Sequence, residues 1–125
     1  MEKNHMKKPM VAAACLMGLT TLVHLFAGGP ENYRPLRDSA LGDVPRSTLS
    51  VVWHMVSLVL LLQTLALGEL SRRPNPPLWW LTLAGLLGFA TLFIGYTLAD
   101  FGALFALPQW TVFLATVALM LWGRA

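Results

Sequence analysis

His24 and His54 are the residues of this 125-residue chain with the most chemistry to offer. Each lies inside a long apolar run, where an ionisable side chain is costly and marks a functional candidate. An imidazole can ligate haem iron or a transition metal, relay a proton, or serve as a hydrogen-bonding group. Stepping alternately by three and four residues through His24 gives Ala14, Met17, Thr21, His24 and Gly28, with Glu31 just beyond. The same steps through His54 give Ser47, Ser50, His54, Ser57, Leu61 and Thr64. An alternation of this kind traces one face of a helix. Each histidine is therefore expected on a stripe of small and hydroxyl residues.

Two histidines on neighbouring helices suit the axial positions of haem b. With Glu31 as a third ligand, His24 and His54 would begin a transition-metal site. Gln109 is a further polar group for a cofactor, and Trp53 and Asp100 are expected near the same end. A quinone or a lipid headgroup bound by His24, His54 and Gln109 is another reading. Against these stands simple packing, with hydroxyls of Thr21, Ser50 and Ser57 satisfying each ring. Within the apolar runs there is no His-x-x-x-His or Glu-x-x-His pair, and the chain has no Cys-x-x-Cys, Gly-x-Ser-x-Gly or phosphate loop. A di-iron carboxylate centre and soluble hydrolase chemistry are disfavoured on those grounds. Catalysis is less expected than a structural or accessory role.

The elements that must carry these residues follow from composition. Hydrophobic residues make up 56% of the chain and charged ones 12%, about half the charge of an ordinary soluble domain. The apolar residues form four runs, at about residues 10–28, 48–67, 78–99 and 103–123. The spacing predicts an all-α, integral membrane four-helix bundle forming a single domain, with an outer loop over 29–47. Pro9 opens the first span, and Gly28-Gly29-Pro30 closes it. The run Pro74-Asn75-Pro76-Pro77 separates the second span from the third. Pro108 falls inside the fourth, which predicts a kink there or an interfacial segment before it. Leu36 to Leu41 is a candidate surface helix within the outer loop. Cys15 has no partner for an internal disulfide. Too few apolar residues precede it for a cleavable signal peptide.

Lys3, Lys7, Lys8, Arg72, Arg73 and Arg124 flank one side of the spans. Arg34, Arg37 and Arg46 lie on the other side, offset by Glu31, Asp38 and Asp43. The positive-inside bias predicts both termini in the cytoplasm, as expected of an inner-membrane protein. Trp79, Trp80 and Trp122 are expected in the inner aromatic belt, and Tyr33, Tyr96 and Trp110 in the outer one. No basic groove interleaved with aromatics points to nucleic acid. On this topology His24 and His54 lie about 6 and 9 Å below the outer ends of adjacent helices. Ala84, Gly88, Thr91 and Gly95 form a small-residue face on the third span, suited to close helix packing. Gln63, on a different face from His54, is a candidate interhelical hydrogen bonder or dimer contact. Partners expected are the lipid bilayer and either a larger membrane complex or a second copy of the chain.

The length and span count look like those of the small multidrug resistance exporters. That family depends on a membrane-embedded glutamate in the first helix. Here no acidic residue lies within a span. The pattern His24-x-x-x-Gly28-Gly29, Trp53-His54 and Leu107-Pro108-Gln109-Trp110 resembles a group of uncharacterised small bacterial four-span membrane proteins. The resemblance runs over most of the chain. It implies no activity, and directs attention to the histidines and the Pro-Gln-Trp turn.

Overall fold

A computed structural model describes residues 7–124, and within them every regular element is helical. Helix α1 spans Lys8–Phe26. A π-helical turn, Gly29–Tyr33, leads into the short helix α2, Arg34–Arg37. Helices α3, α4 and α5 then span Asp43–Arg72, Pro76–Phe101 and Trp110–Arg124.

Local signals explain most boundaries. Proline stands in the first turn of α1 and of α4, where its missing N–H costs nothing. Asn75 caps α4, its side-chain oxygen accepting from the Leu78 N–H at 3.1 Å, as an N-cap residue should. Gly102 ends α4 in the left-handed region at φ 63°, a conformation glycine adopts without a Cβ penalty. The charged first turn of α3 makes that helix longer than its apolar run. Its 30 residues measure about 45 Å at 1.5 Å per residue.

Helix α5 departs from the expected start near residue 103. It begins after Pro108 and is 15 residues long, about 22 Å. The segment before it is a loop folded against the end of α4, not a kinked turn of helix. Thr97 holds the loop: its hydroxyl donates to the Ala103 carbonyl at 2.9 Å and accepts from the Leu107 N–H at 3.0 Å. Trp110 Nε1 donates to the Leu104 carbonyl at 2.7 Å. The candidate surface helix at Leu36 to Leu41 appears earlier, as α2.

Helix α3 packs chiefly on α1, α1 on α5, and α5 on α4, while α3 and α4 touch over a shorter stretch. The core contains Met10, Ala13 and Met17 of α1, Leu60 and Leu67 of α3, Leu86 of α4 and Met120 of α5. At Gly123 a Cβ would lie 3.0 Å from Met10 Cγ and 3.4 Å from its backbone nitrogen. The absent side chain lets α1 and α5 approach backbone to backbone. Away from these seams the helices are apolar outward. Leu22, Phe26, Leu58, Leu65, Leu81 and Trp122 are all more than half exposed. In the most apolar stretches of α1, α3 and α4, no more than 28% of residues are buried. Soluble monomers rarely expose contiguous apolar patches beyond a few hundred Å². Three helices are long and apolar enough to cross a bilayer, and α5 is a shorter apolar helix.

Candidate functional site

The two polar stripes meet, but the two histidines do not share a centre. The stripe of α1 faces that of α3 along their common seam. Thr21 and Thr64 hydroxyls lie 3.3 Å apart, and each donates back to a carbonyl of its own helix, Met17 and Leu60 respectively. One step toward the far end, His24 Nε2 and Ser57 Oγ are 2.9 Å apart. Ser57 in turn donates to the Trp53 carbonyl at 3.2 Å. With that proton committed, the network closes when His24 Nε2–H donates to Ser57. Further on, Ser50 is buried, donates to the Arg46 carbonyl and accepts from Arg37 of α2 at 3.1 Å.

The aromatic groups above this ladder decide where each imidazole points. His24 stacks on the Trp53 indole, with ring centroids 4.0 Å apart and planes 21° apart. The other neighbour of that indole is Tyr33, at 6.1 Å. Tyr33 then meets His54 edge-on at 5.1 Å. His24 is half-buried, while His54 is exposed on the outside of α3. The order His24, Trp53, Tyr33, His54 thus places two aromatic rings between the imidazoles. Because Trp53 and His54 are consecutive, a helix turns their side chains about 100° apart. Only one can point into the α1 seam, and Trp53 takes it.

Tyr33, expected only in an aromatic belt, is the member of this cluster that sequence reasoning missed. It reaches His54 because the π-turn continues the helical rise past Gly28-Gly29-Pro30 and folds the chain back over α3. Those residues read as a plain break in the sequence. Gly28 is required there, since a Cβ would lie 2.9 Å from Trp53 Cη2.

The structure does not bring His24 and His54 to a common centre. His24 Nε2 is committed to Ser57, its ring is stacked on Trp53, and His54 faces away. Among the described residues no three His, Cys, Asp or Glu side chains are grouped to hold a metal ion. The expected set His24, His54 and Glu31 is therefore not assembled. Glu31 is exposed on the π-turn, and Gln109 is exposed on the turn opening α5. Neither they nor Asp100 bond to either imidazole.

Other positions differ from expectation as well. Trp79 is only 7% exposed and belongs to the core, not to a lipid-facing belt. The face Ala84, Gly88, Thr91 and Gly95 points out of the monomer, every member exposed. Gly85 on the adjoining face makes the close helix contact instead. A Cβ there would collide with the Gln63 side-chain amide. Gln63 thus lies between α3 and α4, with its Oε1 buried and unpartnered.

Beyond Gln63 the two helices part. The opening is an apolar cleft of about 430 Å³. Its walls are Val56 and Leu60 of α3, Phe89, Phe93 and Tyr96 of α4, and Phe113 of α5, with Asp100 and Leu107 toward the far end. Phe93 stacks on Phe113 at 5.9 Å, and Phe89 lies against the same ring at 5.3 Å. These aromatic contacts brace the wall formed by α4 and α5.

The class defined by fold and surface is an all-helical protein with three helices able to span a membrane. The chain matches no family model, and no curated protein or solved structure is significantly similar to it.

Proposed function

We propose that this chain is a four-span integral protein of a bacterial inner membrane, with both termini cytoplasmic. In this reading it is a non-catalytic accessory component that holds the hydrocarbon chain of a lipid-soluble amphiphile. The observation that carries the proposal is the α3–α4 cleft. Its volume of about 430 Å³ lies in the ~300–1,000 Å³ range of small-molecule sites. A four-turn helix, roughly 20 Å long and 10 Å across, is too large to enter, so a partner helix would lie over the cleft without filling it. The walls are almost wholly apolar, and the polar groups Tyr96 and Asp100 stand toward one end. That polarity suits a chain whose headgroup carries a hydroxyl or amine. The intramembrane histidines in this reading are structural. His24 locks α1 to α3 through Ser57 and steadies one wall of the cleft, while His54 meets Tyr33 on the outside of α3.

Purified full-length protein, extracted and examined by mass spectrometry, tests this. The expected result is a co-purifying long-chain amphiphile that is lost from Val56→Trp, which fills the cleft, and kept in Leu58→Trp, on the opposite, exposed face of the same helix. Equal recovery from both variants, or no such compound in the wild-type protein, overturns the reading. Membrane placement is tested separately by reporter fusions. The expectation is a cytoplasmic reporter at each terminus and an external one fused within 38–42.

A further inference from the structure

A second concavity lies at the opposite end from the histidines, where α1 and α4 begin and α3 and α5 end. Its volume is about 140 Å³. Lys7, Met10, Leu70, Trp79, Trp80 and Arg124 line it, together with the Pro74–Pro76 turn. Two cations and no carboxylate are in the lining. The nearby carboxylate of Glu69 is engaged by Arg73 at 2.6 Å, so it does not neutralise them. Among the described residues, neither Lys7 nor Arg124 makes a salt bridge or donates a side-chain hydrogen bond.

Arg124 is nevertheless held. Its guanidinium carbon lies 4.5 Å from the Trp79 ring centroid and 4.8 Å from that of Trp80. The two indoles are nearly perpendicular, at 88°, so they form a corner that receives the cation. Attraction of this kind to an indole face leaves the in-plane N–H groups free to bind an anion. Guanidinium donors match the paired oxygens of a phosphate. Lys7 has its backbone pinned as well, its N–H donating to the Ser71 carbonyl at 3.1 Å. The site thus has a guanidinium held by two indoles, a second cation in its lining, an aromatic wall, and an apolar margin at Trp80 and Leu81, both more than half exposed.

We infer that this pocket binds the phosphate of an anionic phospholipid from the cytoplasmic leaflet. Its volume is about a third of the α3–α4 cleft's, below the ~300 Å³ that a whole drug-sized ligand needs. It admits a headgroup while the acyl chains stay outside, along Trp80 and Leu81. Basic pockets between helices on the cytoplasmic side are a recurrent means of holding anionic headgroups. The inference shares two premises with the function proposed above, that the helices lie in a bilayer and that the ends carrying the termini face the cytoplasm. The ligand, the end of the molecule and the binding forces are different.

The test is native mass spectrometry of the full chain in neutral detergent, with phosphatidylglycerol, phosphatidylcholine or inorganic phosphate added in turn. Selective retention of phosphatidylglycerol is expected, reduced about fivefold by Arg124→Gln and by Lys7→Gln, the contribution of one surface cation. Arg73→Gln, which removes a cation already paired with Glu69, should retain the lipid. Arg124→Lys keeps the charge but not the fork and should fall between. Equal retention of the two lipids overturns the inference, as does full retention by both pocket variants. Retention of inorganic phosphate as strong as that of the lipid assigns the pocket to a soluble phosphate and overturns the lipid source. A chain that inserts and keeps its long-chain amphiphile but shows no lipid selectivity defeats this inference alone.

Discussion

His24 and Ser57 form the side-chain contact between α1 and α3 whose removal is most informative. Interhelical hydrogen bonds in lipid are modest, because the separated helices find other partners. A double-mutant cycle of His24→Ala and Ser57→Ala, followed by unfolding in detergent, should give a coupling of about 0.5–1.5 kcal/mol. His54→Ala should cost less than His24→Ala, since its ring is exposed and meets Tyr33 edge-on rather than filling the seam. A coupling near zero would show that the stacking on Trp53, and not the hydrogen bond, holds His24. Gly28→Ala puts a methyl against Trp53 and should shift the Trp fluorescence and lower the midpoint of unfolding. Gly88→Ala meets open space and should leave both unchanged. The stripes were legible as stripes, because hydroxyl residues recur at helical spacing. Which histidine would face the seam was not, because a 3.5-residue stripe drifts slowly around a real helix. Trp53, next to His54, had the larger ring to bury.

At the scale of elements, the connection from α4 to α5 carries the sharpest expectation. Thr97 is fully buried and its hydroxyl serves two backbone groups of the loop. Thr97→Val keeps the shape and removes both bonds, leaving the Leu107 N–H and the Ala103 carbonyl without that partner. The cost should be about 1–3 kcal/mol, while Thr97→Ser should recover most of it. Hydrogen exchange at Leu107 reads the same event, with protection expected in the wild type and lost in the valine variant. Failure of exchange to change would mean that the loop is held by the Trp110–Leu104 bond alone. The starts of α1 and α4 were legible here, since Pro9, Asn75 and Pro76 act on their own backbone within one turn, whereas Gly102 was not read as the end of α4. The start of α5 was not. Pro108 permits either a first turn or a kink, and only the contacts made by Thr97 and Trp110 favour a loop before it.

For the whole molecule the governing quantity is the apolar surface left outside. Cys15 offers a direct measurement, because it is exposed on α1 two turns inside the helix. In intact membranes it should resist a charged maleimide, and it should react fully once the protein is unfolded in ionic detergent. Rapid labelling before unfolding would remove the bilayer from around α1. The 56% hydrophobic content, the four apolar runs and the clustering of basic residues near their ends were sufficient to predict an all-helical fold and long apolar helices. Those properties are local: hydrogen bonding within each helix and the transfer of each side chain from water depend little on distant contacts. The partner of each face depends on all four helices at once. Tertiary packing turned the small-residue face of α4 outward, buried Trp79 beneath Arg124, inserted Trp53 and Tyr33 between the histidines, and left α3 and α4 apart beyond Gln63. Lipid gives apolar faces little preference for one neighbour over another. Small differences in side-chain fit, summed along each seam, therefore decide which helices meet and where a cavity remains.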